Sequence, residues 1–283
     1  MAARNKGMAH GPDMTPDYTA DNVRSGAGPS WSEGLFHIHS RFSSDGKLSL
    51  AELKAECLAR GLQFMVVTDH AEDMVPAELQ RYVSQCRALT DGDFLAVPGL
   101  EFRVPGNEDI HLLVAGWDSS PGNGPACEIL AGAMSVRNGS LVVLAHPFKA
   151  KSCWPPHIEQ ALDGVEIWNA SCDSRYLPDH RAVRAYLRFK SRNPGLVGIG
   201  GLDLHDRSGF RGVRVRVKGR CSVTPDLIKR IRAGEFETAG PCLKVRSSPE
   251  YGNMALALLS AGRAALIAAD RVLSAARGGK KTR

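Results

Sequence analysis

The chain has 283 residues, of which 43% are hydrophobic and 23% are charged, a composition typical of globular proteins. It has no apolar run of about 18 residues and no apolar core near its amino terminus, so we expect neither a membrane span nor a signal peptide. The formal net charge of +6 favours anionic partners, either phosphorylated metabolites or nucleic acid. Seven scattered cysteines without a CxxC pair argue against a disulfide framework and a four-cysteine zinc site, and indicate a reducing, cytoplasmic environment.

Short apolar strands alternate with helices after a polar start. Residues 1–30 are rich in Gly, Pro, Asn, Asp and Ser, and predict a disordered leader. Strands are predicted at residues 35–39, 64–67, 94–97, 110–115, 141–145, 165–168 and 196–199. Helices are predicted at residues 49–60, 76–89, 127–137, 158–162 and 180–190. Short continuous apolar runs separated by helices are typical of a parallel sheet that is covered on both faces.

The carboxy-terminal part begins with an alternation of valine and basic residues over residues 213–218, which predicts a half-buried strand with one basic face. A helix is predicted from Thr224 to Gly234, and an Ala/Leu-rich helix over residues 254–276 is expected to pack on the outside. We therefore divide the chain into a leader at 1–30, a central unit at 31–245, and a helix with a basic tail at 246–283.

Nine histidine and carboxylate side chains mostly follow apolar strands. They are His37, His39, Asp45, His70, Glu101, His111, His146, Asp203 and His205. Neutral imidazole and carboxylate are ligands of catalytic divalent metals. Because the carboxyl ends of parallel strands share one face, where catalytic groups gather, we expect these side chains to meet in one pocket.

Spacing within this set supports metal binding. His37 and His39 stand two residues apart, as do Asp203 and His205, and on a strand such pairs point to the same side. One catalytic zinc needs about three protein ligands plus water, so nine candidates suit two or three ions. Glu101 follows an apolar strand and Pro98, and is our candidate for a carboxylate that bridges two ions.

The combination resembles the PHP family, named for polymerase and histidinol phosphatase domains. The matching residues are His37-Ile-His39-Ser40 through Asp45-Gly46, Thr68-Asp69-His70, Gly99-Leu-Glu101, His146-Pro147 and Gly201-Leu-Asp203-Leu-His205. The resemblance covers about residues 34–240. It implies an α/β fold, a distorted (β/α)7 barrel of the TIM type, and metal-dependent phosphoesterase activity.

The resemblance also implies how the ligands are shared between ions. His37, His39, Glu101 and Asp203 would hold the first ion, Glu101, His111 and His146 the second, and Asp45, His70 and His205 the third. Some family members have histidine where this chain has Asp45, which favours harder ions. The expected cofactors are two or three divalent ions: Mn, Fe or Zn. Asp69 points away from His70 on a strand, so we expect it to orient a ligand rather than bind metal.

The leading hypothesis is hydrolysis of a phosphate ester of a small metabolite or nucleotide. A hydroxide between two ions would be the nucleophile, with Glu101 as the bridge and His70, His205 or water as proton donor. A phosphate also needs cations, and those near the motif loops are Arg41, Lys149, Arg175 and Arg211. Two alternatives stay open. One is hydrolysis of a carboxyl ester, carbamate or amide; the other is a nucleic-acid-associated module, with the basic residues of 214–220 as its surface.

Overall fold

A computed structural model describes residues 31–104, 107–116, 139–149, 154, 158–210 and 212–278. The predicted leader at 1–30, the predicted helix at 127–137, the end of the basic tail and the proposed substrate cation Arg211 lie outside the described residues. In the described part, the chain forms a mixed α/β fold with two six-stranded sheets and five α-helices.

The first sheet contains, in spatial order, β12 (Lys244–Arg246), β11 (Phe236–Ala239), β10 (Arg214–Lys218), β1 (Trp31–Ile38), β2 (Phe64–Val67) and β4 (Leu95–Val97). The second contains β3 (Asp69–His70), β5 (Gly99–Val104), β6 (Asn107–Ala115), β7 (Leu141–Leu144), β8 (Gly164–Asn169) and β9 (Val197–Gly201). The helices are α1 (Leu50–Leu58), α2 (Pro76–Leu89), α3 (His180–Lys190), α4 (Thr224–Arg232) and α5 (Asn253–Gly278).

Local sequence signals account for where the helices begin and end. The Ser49 hydroxyl accepts from the Glu52 N–H at 3.2 Å, and the Glu52 carboxylate accepts from the Ser49 N–H at 2.9 Å. Helix α1 ends at Leu58, two residues earlier than predicted. Gly61, three residues later, has a left-handed φ of +69°, which turns the chain away from the helix. The predicted bounds of α2 and α3 are confirmed, whereas the predicted helix at 158–162 is a single 3-10 turn.

The sheets are mixed, so the expectation of a purely parallel sheet is wrong. Strands β1, β2 and β4 pair in parallel, as do β7, β8 and β9, but β5, β6 and β7 pair antiparallel. The short connection at 105–106 explains the first reversal, because a parallel crossover needs about a dozen residues or more. Strands β10, β11 and β12 form an antiparallel meander that the sequence patterns did not indicate beyond β10.

Hydrogen bonding does not close the described strands into one barrel. Pro98, which has no N–H to donate, separates β4 of the first sheet from β5 of the second. A bridge between Ile38 and Leu204 joins β1 to the segment after β9. The ends of strands from both sheets therefore meet, although the seven-stranded barrel implied by the family resemblance is not seen.

Apolar side chains cover both faces of the first sheet. Along β2, Met65 and Val67 pack with helices α1 and α2, while Phe64 and Val66 belong to a second cluster that includes Ile228 of α4. Alternate residues of a strand point to opposite faces, so this strand is buried on both sides. The polar groups that follow the strands are therefore attached to strand ends packed on both faces.

Among the described residues, no helix combines the length and the apolar character that crossing a lipid bilayer would require.

Candidate metal centre

The nine predicted ligands lie close together, most of them at or just after a strand end. His37 is near the end of β1, His146 follows β7, and Asp203 and His205 follow β9. The other five also join this connected set of contacts; they are His39, Asp45, His70, Glu101 and His111. Glu101 and His111 sit within antiparallel strands rather than at strand ends, because β5 and β6 pair side by side across the set.

Glu101 is the hub of these contacts. Its Oε2 lies 3.2 Å from Nε2 of His37 and 3.2 Å from Nε2 of His39. Its Oε1 lies 2.5 Å from Nδ1 of His111 and 3.0 Å from Nε2 of His146. Each oxygen of one buried carboxylate thus faces a separate pair of imidazoles, which is the arrangement of a carboxylate shared by two cations.

Electrostatics keep Glu101 ionised despite its burial. Burial alone would raise the pKa of its carboxyl group, but the charge of His37 and hydrogen bonds from His111 and His146 hold that pKa well below its usual range. A permanently charged, buried carboxylate surrounded by imidazoles is stable only where positive charge compensates it.

The carboxylate of Asp203 completes a four-atom cradle. Its Oδ1 lies 3.4 Å from Nε2 of both His37 and His39, alongside the 3.2 Å contacts of Glu101. A tetrahedral ion with bonds of about 2.0–2.1 Å separates its ligand atoms by about 3.3–3.4 Å. The buried Nε2 of His39 has no hydrogen-bond partner, although both carboxylates are close. The donor set and the spacing therefore fit a divalent metal ion.

A second group of donors is more open to solvent. Oδ2 of Asp45 lies 3.3 Å from Nε2 of His70 and 3.0 Å from Nε2 of His205. Nδ1 of His205 donates to the backbone carbonyl of Asp203 at 2.9 Å, which leaves Nε2 facing Asp45. Asp45 is 46% exposed, so this group forms the mouth of the site.

The donor atoms form two compact groups, and within each group all atoms lie within 4.8 Å of one another. These groups differ from the three ligand sets that the resemblance implies. One group is His39, Asp45, His70 and His205; the other is His37, Glu101, His146 and Asp203. His39 joins the outer group because its ring stacks on that of His205, with centroids 4.4 Å apart and planes 8° from parallel. His39 therefore lies between the two groups and contacts both.

Three of the predicted ligands have backbone conformations that are strained for residues other than glycine. The φ angles are +61° at His37, +21° at His146 and +52° at Asp203, and in the described part of the chain no other non-glycine residue has a positive φ. A backbone hydrogen bond joins two of these residues, since the N–H of Asp203 donates to the carbonyl of His37 at 2.8 Å. Such strain is typical of functional sites, where the surrounding structure must maintain it.

Glu166, a fully buried residue in the middle of β8, contacts the predicted ligands but is not among the residues that spacing predicts. Its Oε1 accepts from Nδ1 of His37 at 2.8 Å, and its Oε2 accepts from the backbone N–H of His146 at 2.8 Å. Burial lowers the pKa of His37, but Glu166 and the other nearby carboxylates outweigh burial and raise that pKa well above its usual value. The missed signal was a carboxylate inside an otherwise apolar strand.

Asp69 lies behind the predicted ligands, as expected for a residue that orients them. Its carboxylate accepts from the N–H of Ser40 at 2.6 Å and from the Ser43 hydroxyl at 2.8 Å. The Ser43 hydroxyl in turn accepts from the N–H of His70 at 2.8 Å and lies 3.3 Å from Nδ1 of His39. This buried network fixes the loop after β1 against β3.

Lys149 is the predicted substrate cation that reaches the ligands. Its Nζ lies 3.6 Å from Oδ2 of Asp203, and 48% of its side chain is exposed. The thiol of Cys172 donates to the same oxygen at 3.3 Å. Both groups hold the outer oxygen of Asp203, so that Oδ1 faces the imidazoles of the cradle.

Two other predicted substrate cations are engaged elsewhere. Arg41 donates to the carbonyl of Lys47 at 3.0 Å and pairs with Glu52 at 3.4 Å. Arg175 is exposed and stacks its guanidinium over the ring of Tyr176 at 4.6 Å. Of the three such cations that the structure describes, only Lys149 contacts a predicted ligand.

No protein-family model matches the chain, and no curated protein matches it. A two-domain protein of Bacteroides vulgatus ATCC 8482, which contains a predicted PHP-like metal-dependent phosphoesterase, has a similar structure, with a TM-score of 0.53 and 18% identity. The match covers 74% of this chain and 65% of that protein, just under two thirds of its length. PsfC from Pseudomonas syringae PB-5123 matches with a TM-score of 0.50 and 15% identity, over 84% of this chain and 100% of PsfC. At these identities the likeness establishes a shared fold.

Proposed function

We propose that this chain is a metal-dependent phosphoesterase with PHP-type chemistry, built in residues 31–245 on two sheets related to a distorted TIM-like barrel that hydrogen bonding does not close. The observation that carries the proposal is the position of Glu101, whose two oxygens each contact a different pair of histidines at 2.5–3.2 Å. The fold shared with a PHP-like protein adds support. The substrate would be a phosphate ester of a small metabolite or nucleotide.

The ligand sets proposed for the ions are those that the resemblance implies, and contacts within each set support them. His37, His39, Glu101 and Asp203 would hold one ion, Glu101, His111 and His146 a second, and Asp45, His70 and His205 a third. Mixed imidazole and carboxylate donors suit Mn, Fe or Zn. Divalent ions in such sites act as Lewis acids and lower the pKa of bound water towards neutrality.

Side chains at the solvent-exposed mouth of the site would bind the phosphate and deliver a proton. Lys149, half-exposed beside Asp203, would bind a phosphoryl oxygen and offset negative charge that develops there. His70 and His205 present Nε2 towards the exposed Asp45. Either of them, or water, would deliver a proton to the leaving oxygen of the ester. No side-chain nucleophile is required.

Hydrolysis of an aryl phosphate tests the proposal. We expect turnover with added manganese, loss of turnover after chelation, and recovery when manganese is restored. His37→Ala and Asp203→Ala should each abolish it, because they remove cradle ligands. His180→Ala is the matched control, because His180 lies at the start of α3, outside the set. Equal rates in the wild type and all three variants would refute the assignment.

Hydrolysis of a carboxyl ester, carbamate or amide is the second candidate. The observation that favours it is the scarcity of cations: one of the three described candidates, Lys149, contacts a predicted ligand. A carbonyl substrate needs fewer cations than a phosphate. Aryl acetate and aryl phosphate, assayed side by side at equal concentrations, distinguish the two candidates by which of them manganese accelerates.

The nucleic-acid alternative receives less support from the basic strand. Arg216 pairs with Glu33 and Glu237, Arg214 pairs with Glu33, and Arg220 pairs with Asp93. These pairs neutralise much of the charge that a phosphate backbone would require. A salt-dependent shift with single-stranded DNA, together with absence of metal from the purified protein, would favour this alternative.

A further inference from the structure

Glu166 contacts two of the segments that carry predicted ligands. Its carboxylate is 0% exposed, and both oxygens accept hydrogen bonds: Oε1 from His37, and Oε2 from the N–H of His146 and from Nδ2 of Asn169 at 3.0 Å. In the described part of the chain, its one ion-pair partner is His37. Among the described residues, the carboxylate of Glu166 therefore pairs with an imidazole and not with a lysine or an arginine.

We propose that Glu166 is a positioning residue that fixes the ring of His37 and the backbone of His146 at the same time, so that one carboxylate sets the geometry of ligands on two strands. This inference rests on the proposed function, in which both histidines hold metal. It assigns to Glu166 no contact with substrate.

The first consequence concerns which nitrogen of His37 binds metal. Oε2 of Glu166 already accepts from a backbone N–H and a side-chain amide, and Oε1 faces Nδ1 of His37 at 2.8 Å, so Nδ1 carries the proton shared with Glu166. A metal ion would then bind at Nε2 and displace any proton held there. Nε2 is also the nitrogen that lies 3.2 Å from Glu101 and 3.4 Å from Asp203. A carboxylate behind a ligating histidine typically fixes its tautomer and ring orientation.

The second consequence concerns the backbone after β7. His146 has a φ of +21°, at the edge of the left-handed region, and its N–H is held by Oε2 of Glu166 at 2.8 Å. Gly201 on β9 closes the other side, because a Cβ at that position would lie 1.9 Å from Oε1 of Glu166. Strands β1, β7 and β9 are therefore packed around one carboxylate.

Asn169 supplies a third donor to Glu166, and the orientation of its amide is fixed by other hydrogen bonds. Its Oδ1 accepts from the backbone N–H groups of Ser171 and Cys172 at 3.0 and 2.9 Å, so its Nδ2 must face Glu166. Three donors thus converge on two carboxylate oxygens. An amide cannot replace the carboxylate here, because it offers one acceptor and places an NH2 group against at least one donor.

Glu166→Gln is accordingly the decisive variant, since it keeps the shape and removes the charge. If its oxygen faces His37, its NH2 group opposes the N–H of His146; if it is reversed, the NH2 group faces Nδ1 of His37 and moves the ring proton to Nε2. We expect Mn²⁺ affinity, measured by titration of the chelated protein, to fall about 10–100-fold. Glu159→Gln is the matched control, because Glu159 is an equally buried glutamate that pairs with Arg192. It should keep the wild-type affinity.

A second measurement does not depend on how the variant folds. Nitrogen-15 NMR of the wild-type protein loaded with Zn²⁺ should show His37 protonated at Nδ1 and ligated through Nε2. A proton on Nε2 would overturn the inference, as would wild-type Mn²⁺ affinity in folded Glu166→Gln. These readouts need no substrate. If the wild type hydrolyses no phosphate ester but Glu166→Gln still loses Mn²⁺ affinity, the proposed function fails and the inference stands.

Discussion

Replacing Gly201 with alanine tests the packing around Glu166 with the smallest possible change. The new Cβ would lie 1.9 Å from Oε1 of Glu166 and 2.9 Å from Cβ of His37, both of them buried. Because an unbonded carbon and oxygen need more than 3 Å, the carboxylate must move by about 1 Å or more, which breaks its 2.8 Å bond to His37.

Two effects determine how much the free energy of unfolding falls in Gly201→Ala. Overpacking of a well-packed interior costs about 1–3 kcal/mol, and leaving a buried polar group unpaired costs about 1–3 kcal/mol more. The expected destabilisation is therefore about 2–6 kcal/mol, which lowers the melting temperature by roughly 5–20 °C for a protein of this size. Mn²⁺ affinity should fall as well, because the imidazole of His37 loses its orientation.

Thermal unfolding and Mn²⁺ titration of Gly201→Ala measure both effects. Gly198→Ala, on the same strand, is the control, because its Cβ would meet mainly the flexible end of Ile167 at 2.9 Å. We expect a smaller loss of stability there and unchanged metal affinity. If Gly201→Ala matches the wild type in both measurements, the contact between β9 and Glu166 is not as described, and the reasoning fails.

Three further outcomes are expected. Lys149→Ala should lower phosphate-ester turnover by about tenfold or more, whereas Arg41→Ala should leave it unchanged and cost less than about 1 kcal/mol, because its ion pair is exposed; equal losses in steady-state kinetics would contradict this. Tyr82→Phe should lose about 1–3 kcal/mol in urea denaturation, because the buried hydroxyl bonds carbonyls of β2 and β5 at 3.0 and 2.9 Å; an unchanged midpoint would count against those bonds. Burial and two neighbouring carboxylates raise the pKa of Asp173 to about 7. Since this folded-state pKa exceeds the unfolded value near 3.9, the native state binds more protons between the two, and stability should fall as the pH rises from about 4 to 7. Asp173→Asn should flatten that part of the profile, and an unaltered slope in denaturation from pH 4 to 8 would refute the assignment.

Local signals in the sequence were sufficient to predict where several helices and strands lie. The capping box of Ser49 and Glu52 marked the start of α1, and Pro76 marked the first turn of α2. These signals depend on residues within one turn, so no tertiary contact is needed to interpret them. The antiparallel β5–β6 and β11–β12 pairs follow instead from short connections between neighbouring strands, and β11 also needs β10 as a partner about 20 residues earlier. Residue patterns within each segment therefore did not specify their direction of pairing.

The same distinction separates the predicted ligands from the residues that position them. Histidines such as His37 and His39 could be found by spacing, because metal binding requires particular residue types at strand ends. Glu166 could not, because its role depends on contacts to His37 and His146, 129 and 20 residues away. Arg41 shows the converse: it lies next to a motif, yet its guanidinium pairs with Glu52 instead of facing the ligands.

The left-handed backbone at His37, His146 and Asp203 carries a steric cost of roughly 1–2 kcal/mol per residue, which glycine would avoid. Glycine in place of either histidine would nevertheless take an ion-pair partner from a buried carboxylate, Glu166 or Glu101, at a cost of about 3–5 kcal/mol. A laboratory selection for heat resistance alone would therefore keep both histidines, even where metal binding brought no advantage.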